Sequence, residues 1–465
     1  MVETSERAVE RPGPHVVVLF GANGDLAKRM IYPALAKLGA AGRLPEAYAV
    51  IGTGRHDVDD YAGVIDEAVK DAVEDSDLAG RATFQTSDAD DGADLAKAVE
   101  AAERKVAEEA GVDVADVRRL IYLSVPPGSM TDIVAMLGRE KITDRARLVV
   151  EKPFGVDLET SRELDAAIKD VADEGDVFRV DHFLGKEAVQ NVLALRFANR
   201  LLGSAWNRDH VASVHIDVPE TLGLEGRGSF YETVGCLRDM VTTHLSQILG
   251  FVALDPPADL TAEAVRDAKA AVFEALRPFS KDDTVFGQFD GYRDDDDTDD
   301  DSRVETLVAL TAYVDNERWQ DVPFHLRTGK AMADDQRTVT VRFREPDPAL
   351  FGDTGDDGHP HQLVLDLADE AKVAVEVRGK RPGPELEVAP ATLTLDYAED
   401  FPDDHPLAAY ERILLDVFHG DQLLFARADE VDRLWQVSAP LLEDPPEVQT
   451  YEQGSWGPTP PWERA

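Results

Sequence analysis

Residues 15–20, His-Val-Val-Val-Leu-Phe, form an unbroken apolar run rich in β-branched side chains. That is the pattern of a strand buried on both faces of a parallel sheet. Gly21-Ala-Asn-Gly24 then punctuates the chain, and Asp25 to Leu38 reads as a helix with Leu26, Ile31, Leu35 and Leu38 on one side. Tyr48–Ile51, Leu120–Val125 and Leu148–Val150 repeat the strand pattern, the last two stopped by Pro126-Pro127 and by Pro153. Helical patterns lie near 59–73 and 91–110. Strands alternating with helices predict a doubly wound parallel sheet. Val177–Val180 is its last strand, so this domain spans 15–180 and follows a polar segment, 1–14.

The texture changes after 180. Helices fit 187–202 and 234–251. Val211 to Val218 alternates as a half-exposed strand, and strand-like runs recur at 305–314, 337–343, 362–367 and 372–378. Strands set beside separate helices predict an α+β domain over 181–465 built on a large antiparallel sheet. The expected fold class is therefore α/β plus α+β. Asp294–Asp301 is a charge run, read as a solvated loop rather than a metal site, because it lacks the glycine and ligand spacing of a calcium loop.

Composition sharpens this reading. The 465 residues carry a net charge of −44, with acidic residues spread along the whole chain. Such a surface repels nucleic acid and anionic membranes, so neither is an expected partner. Only 14 of the 48 basic residues are lysine. A carboxylate coat with few lysines reads as adaptation to high salt, where charge repulsion is screened within a few ångströms; the alternative is an acidic protein of ordinary salinity. Cys236 is the single cysteine, so no intrachain disulfide can form. Residues 1–14 lack the apolar core of a secretion signal, and no apolar run reaches membrane-spanning length. A cytoplasmic enzyme is the expectation.

Chemistry concentrates in a few segments. Gly21-x-x-Gly24-x-x-Ala27 sits between strand and helix, where a dinucleotide fingerprint belongs, and places Gly21, Asn23, Gly24, Asp25 and Leu26 at the helix N-terminus that would meet a pyrophosphate. Arg55 follows the second strand, where an acidic residue would hold a ribose hydroxyl and an arginine suits a 2′-phosphate. NADP is the expected cofactor, with NAD left open by the nearby Asp57. Glu151-Lys-Pro-Phe-Gly155 ends a core strand; Pro153 is a candidate cis proline, and Lys152 would point toward the junction of cofactor and substrate. Arg179-Val-Asp-His-Phe-Leu-Gly-Lys186 and Arg238-Asp-Met-Val-Thr-Thr-His244 supply two histidines, two aspartates and a lysine. His182 and Lys186, four apart, share a face if the segment is helical, and both can donate to a phosphate. His244 with Asp181 suits an oriented general base, although a helical histidine taken alone is more often structural. Together these groups point to oxidation of an alcohol on a charged substrate.

Those segments, with Glu225-Gly-Arg-Gly228, Leu326-Arg-Thr-Gly-Lys330, Tyr410-Glu-Arg412, Asp416-Val-Phe418, Gly420-Asp-Gln422 and Gly454-Ser-Trp-Gly-Pro458, make the chain resemble the glucose-6-phosphate dehydrogenases over nearly its whole length. The resemblance implies that His244 removes the C1 hydroxyl proton, oriented by Asp181, and that His182 and Lys186 bind the sugar phosphate. Glu220, Asp239 and Lys330 would contact the sugar, and Lys152 would lie between sugar and nicotinamide. Hydride would pass to NADP without a metal, giving a 6-phosphogluconolactone in the oxidative pentose phosphate pathway. Homodimers or homotetramers would form through the large sheet.

Four positions depart from the family pattern. Phe183 stands for a tyrosine, Met30 for a basic residue, Asp335 for a lysine or arginine that Arg337 could replace, and Asn23 for Ser, Thr or Lys. Each lost charge-assisted hydrogen bond would cost roughly 1.5–3 kcal/mol unless replaced. Asn23 can still donate to a phosphate, but Phe183, Met30 and Asp335 leave open a related dehydrogenase for another hexose derivative (a different phosphate, a sulfonate or a free sugar), with a nucleotide-binding protein without catalysis as a further alternative.

Overall fold

The computed structural model describes residues 11–345, 350–351, 361–368, 372–402, 404 and 406–464. Most of the polar segment 1–14 lies outside them. The chain divides into two compact units.

The first unit runs to Gly185 and takes in Leu407–Ala428 as well. Its sheet has six parallel strands: β1 His15–Phe20, β2 Tyr48–Gly54, β3 Ala82–Thr86, β4 Arg118–Leu123, β5 Ala146–Glu151 and β6 Val177–Val180. Their order is β3-β2-β1-β4-β5-β6, with the winding reversing between β1 and β4. Every residue of β1 and of β6 is buried, as continuous apolar runs demand of a sheet covered on both faces. The helix after the glycine turn is continuous but not uniform: Ala27–Ile31 is a π turn that leads into α-helical Tyr32–Ala40. Strand β3 and the helices Pro127–Arg139 and Leu158–Lys169 were not anticipated.

The reading of 181–465 as one continuous domain needs correction, because 407–428 returns to the first unit. Helix Ala409–His419 places Tyr410, Leu414 and Phe418 in the same core as Leu120, Val149 and Phe178. Arg147 donates to the carbonyls of Val417 and Phe418 at 2.7 Å each, satisfying the helix C-terminus. The Gln422 amide donates to the carbonyls of Glu174 and Val177, at 2.8 Å each.

The second unit comprises Lys186–Pro406 and the chain from Asp429 onward. Its nine strands are β7 Val211–Pro219, β8 Thr284–Phe289, β9 Leu307–Ala312, β10 Phe324–Gly329, β11 Thr338–Phe343, β12 Gln362–Asp366, β13 Lys372–Lys380, β14 Val388–Asp396 and β15 Val448–Tyr451. The order is β14-β13-β12-β11-β7-β10-β9-β8-β15. The sheet is largely antiparallel but mixed, since β7 pairs with β10 and β8 with β15 in parallel. The helix expected over 187–202 breaks after Phe197 and resumes at Arg200–Ala205. The Asp294–Asp301 run forms turns with mostly exposed side chains. Among the described residues no helix is long and apolar enough to cross a membrane, and no group of three or more His, Cys, Asp or Glu could hold a metal ion.

Candidate active site

In the first unit the strand ends at the switch point open onto a cleft of about 660 Å³, a size suited to a cofactor. Gly21 adopts φ +71°, and a Cβ there would stand 1.9 Å from the Ser124 carbonyl oxygen of the neighbouring strand's end. Only glycine fits, so β1 and β4 can meet tightly beneath the cleft. Gly21, Asn23, Gly24 and Arg55 line it, as do His56, Thr53, Ser87, Asp88 and Ser124. Asp25, Leu26 and Lys152 are not among its walls. Asp57, the residue that kept NAD open, does not line it either and instead accepts from the Val58 backbone N–H. Ser87 and Asp88 escaped sequence reading because β3, which delivers them, is short and only half-buried. The glycine cradle fits a dinucleotide, with the basic Arg55 at its edge.

Beyond β5, the Lys152–Pro153 peptide is cis. Glu151, immediately before it, is buried and accepts from the Tyr122 hydroxyl at 2.6 Å and the Tyr410 hydroxyl at 3.3 Å. Burial pushes its carboxyl up to about 7 against those hydrogen bonds and the charge of Lys152; Asp181 adds to the rise. β5 and β6 pair Glu151 with Val180, which brings Asp181 beside it in the chain. Asp181 is buried and accepts from the Phe183 backbone N–H at 3.0 Å. Residues 182–185 form a turn, so His182 and Lys186 do not share a helical face; Lys186 stands just before the helix Glu187–Phe197, with no side-chain capping bond. The His182 ring lies nearly parallel to that of Tyr410, at 6.3 Å and 14°, and 5.0 Å from Phe183.

The second unit gathers another set of groups where parallel strands end. β7 and β10 pair Pro219 with Gly329, so the next residues, Glu220 and Lys330, emerge side by side. Their side chains form an ion pair, and the Glu220 backbone N–H donates to the Gly329 carbonyl at 2.9 Å. Arg337, at the foot of β11 on the other side of β7, approaches Glu220 to 3.7 Å. Asp335 is exposed. The Lys330 ammonium also sits 5.8 Å above the Tyr231 ring. Leu237–Leu245 is a π-helical segment carrying Arg238, Asp239 and His244, packed against β9 and β10. Such turns are rare and recur at functional sites. His244 is 1% exposed, and Asp239 is half-buried. The segment is anchored by Glu305, a carboxylate missed in the sequence: it accepts from the Leu237 N–H at 2.8 Å, while its own carbonyl accepts from the Cys236 N–H at 3.0 Å. Burial pushes the Glu305 carboxyl up, opposed by the Leu237 N–H.

Comparison with known proteins agrees over the whole chain. The family model described as the NAD binding domain of glucose-6-phosphate dehydrogenase matches residues 18–191, and that for its C-terminal domain matches 193–462. The glucose-6-phosphate 1-dehydrogenase of Mycolicibacterium smegmatis is 36% identical, covering 95% of this chain and 94% of its own. The cytoplasmic glucose-6-phosphate 1-dehydrogenase 5 of Arabidopsis thaliana is 35% identical, covering 97% and 90%. Among solved structures, the Mycobacterium avium glucose-6-phosphate 1-dehydrogenase superposes with a TM-score of 0.83 at 35% identity, covering 96% and 95%. A glucose-6-phosphate dehydrogenase in complex with glucose-6-phosphate reaches 0.88 at 31% identity, covering 96% of each chain. With both halves matched and identities near 35% from end to end, the chain belongs to the glucose-6-phosphate dehydrogenase family.

Proposed function

We propose that the protein oxidises the C1 hydroxyl of glucose 6-phosphate to 6-phosphogluconolactone with NADP. The observation that carries this reading is the joint presence of the glycine cradle, the turn after Asp181 that bears His182 and the Glu220–Lys330 pair in a chain matched to the family along its length. Gly21, Asn23 and Gly24 would hold the pyrophosphate, with Asp25 and Leu26, which do not line the cleft, opening the helix behind them; Arg55 would hold the 2′-phosphate, and Lys152 the inner edge of the nicotinamide. When bound, the nicotinamide supplies the hydride acceptor. The roles of base and orienting carboxylate fall to His244 and Asp181; an oriented imidazole contributes about 10²–10⁴-fold. His182 and Lys186 take the sugar phosphate, and Glu220, Asp239 and Lys330 take sugar hydroxyls. Arg337, already turned toward Glu220, offsets the charge that Asp335 does not provide.

The acidic coat supports activity in concentrated salt and a cytoplasmic setting. Assembly as a homodimer or homotetramer is proposed through the nine-stranded sheet, where Leu393 on β14 is 62% exposed and would be covered by a second copy. The test is initial rates of nicotinamide reduction in molar KCl, comparing glucose 6-phosphate, other hexose phosphates and glucose, each with NADP and NAD. Selective turnover of glucose 6-phosphate with NADP is expected. Turnover of another sugar alone, or of none, would overturn the reading.

A further inference from the structure

Glu151 lies one residue before Lys152 and points into the protein, yet its carboxylate is not idle. One oxygen, Oε1, accepts from both Tyr122 on β4 and Tyr410 on helix Ala409–His419. The phenol of Tyr410 is thus held at its far end while its ring lies along the imidazole of His182. A carboxylate, a phenol and an imidazole are linked in sequence, all within the first unit. We propose that Glu151 is a positioning residue that sets the orientation of the His182 imidazole through the Tyr410 hydroxyl. The proposal rests on the assignment of His182 to the substrate phosphate. It also gives a reason for the return of 407–428 to the first unit, since that excursion delivers Tyr410.

The groups that face Glu151 are Tyr122, Tyr410, Lys152 just past the end of β5 and Asp181 after β6. With its carboxyl raised to about 7, mainly by burial, Glu151 is ionised above neutrality and protonated below it. An ionised carboxylate is the stronger acceptor for both hydroxyls. The hold on Tyr410, and through it on His182, therefore tightens as pH rises through neutrality.

Glu151→Gln keeps the shape of the side chain and removes its ionisation. Near pH 8 this variant is expected to raise KM for glucose 6-phosphate about fivefold, the scale of one weakened charge-assisted hydrogen bond, with kcat within about twofold. Near pH 6 the two proteins should converge. Titration of the substrate phosphate contributes to both proteins alike, so the difference between them reads Glu151. Equal KM values near pH 8, or a loss confined to kcat, would overturn the proposal. A second readout uses ligand-free protein with ¹³C-labelled histidine, the His182 resonance being assigned by its absence in His182→Gln. That resonance should move in Glu151→Gln. If this variant does not fold, Tyr410→Phe, which keeps the buried ring, carries the same measurement. An unmoved His182 resonance would overturn the proposal in either variant. If the wild-type protein does not oxidise glucose 6-phosphate, the functional reading fails separately, and the resonance alone decides the role of Glu151.

Discussion

Glu220 and Lys330 form an ion pair at the ends of two parallel strands although 110 residues separate them in the chain. Each follows the last residue of its strand, and the β7–β10 register alone puts them together. With Arg337 at the same carboxylate, the cluster holds two cations and one anion, and only Arg337 is substantially open to solvent.

Lys330→Gln removes the ammonium and leaves the Glu220 carboxylate with Arg337 alone. Loss of a charge-assisted contact of roughly 1.5–3 kcal/mol to the sugar, with Glu220 displaced as well, predicts a fall of about 100-fold in kcat/KM for glucose 6-phosphate. Circular dichroism should remain that of the parent. A change of less than about threefold would remove Lys330 from the substrate site.

Arg55 lines the dinucleotide cleft at the end of β2 and is exposed. If it pairs with a 2′-phosphate, Arg55→Ser should raise KM for NADP by roughly 10–100-fold and leave KM for NAD nearly unchanged. Equal effects on both cofactors would mean that Arg55 does not read the phosphate.

Gly235 has φ +66° and ψ 171°, a region that only glycine occupies easily. A Cβ there would also come within 2.7 Å of Glu305 Oε1, the atom that accepts from the Leu237 N–H. Gly235→Ala should cost about 1–3 kcal/mol in backbone strain, and more from the clash. Because it precedes the segment bearing Asp239 and His244, kcat should fall too. A denaturation midpoint in molar KCl equal to that of the parent would refute this.

His215 on β7 and His325 on β10 lie with ring centroids 4.6 Å apart, and His325 is 4.6 Å from Trp462. Burial, then the His325 charge, pushes His215 down to about 3; burial, then Arg342, pushes His325 down to about 4. Both rings are therefore neutral in the folded protein across the range where the unfolded chain takes up protons. Neither ring weakens the fold above about pH 6.5, and stability falls as pH drops from there toward 4 for His325 and 3 for His215, by roughly 3 and 5 kcal/mol respectively. His325→Gln should flatten the decline in stability between pH 6.5 and 4, read from denaturation midpoints at several pH values. Parallel declines in the two proteins would show that the pair does not contribute.

What the sequence displayed was local. The strands of the six-stranded sheet that stood out were continuous apolar runs, because both of their faces are covered, and β1 and β6 have the bounds that their residues announce. The β3 strand was hidden by its short, half-buried pattern, and with it the cleft residues Ser87 and Asp88. In the second unit β8 and β10 are buried almost throughout and show no alternation. β14 went unread for the opposite reason, since most of its residues are exposed.

The residues proposed for the candidate site stand out in the sequence because their chemistry is rare and their spacing tight: Gly21 and Gly24, Lys152, Asp181 and His182, Asp239 and His244. Their settings do not. The spacing did not announce the turn in place of a helix at 182–185, and the π-helical frame of Asp239 and His244 is anchored by Glu305, a partner distant in sequence. The Glu220–Lys330 pair and the return of Tyr410 to Glu151 likewise join residues distant in sequence. Periodicity and glycine placement act over a few residues, so the sequence alone determined the strand–turn–helix cradle and the set of reactive groups. Register between strands, burial of a carboxylate and the path of a long excursion are set by pairing across tens to hundreds of residues. Those the tertiary structure decided.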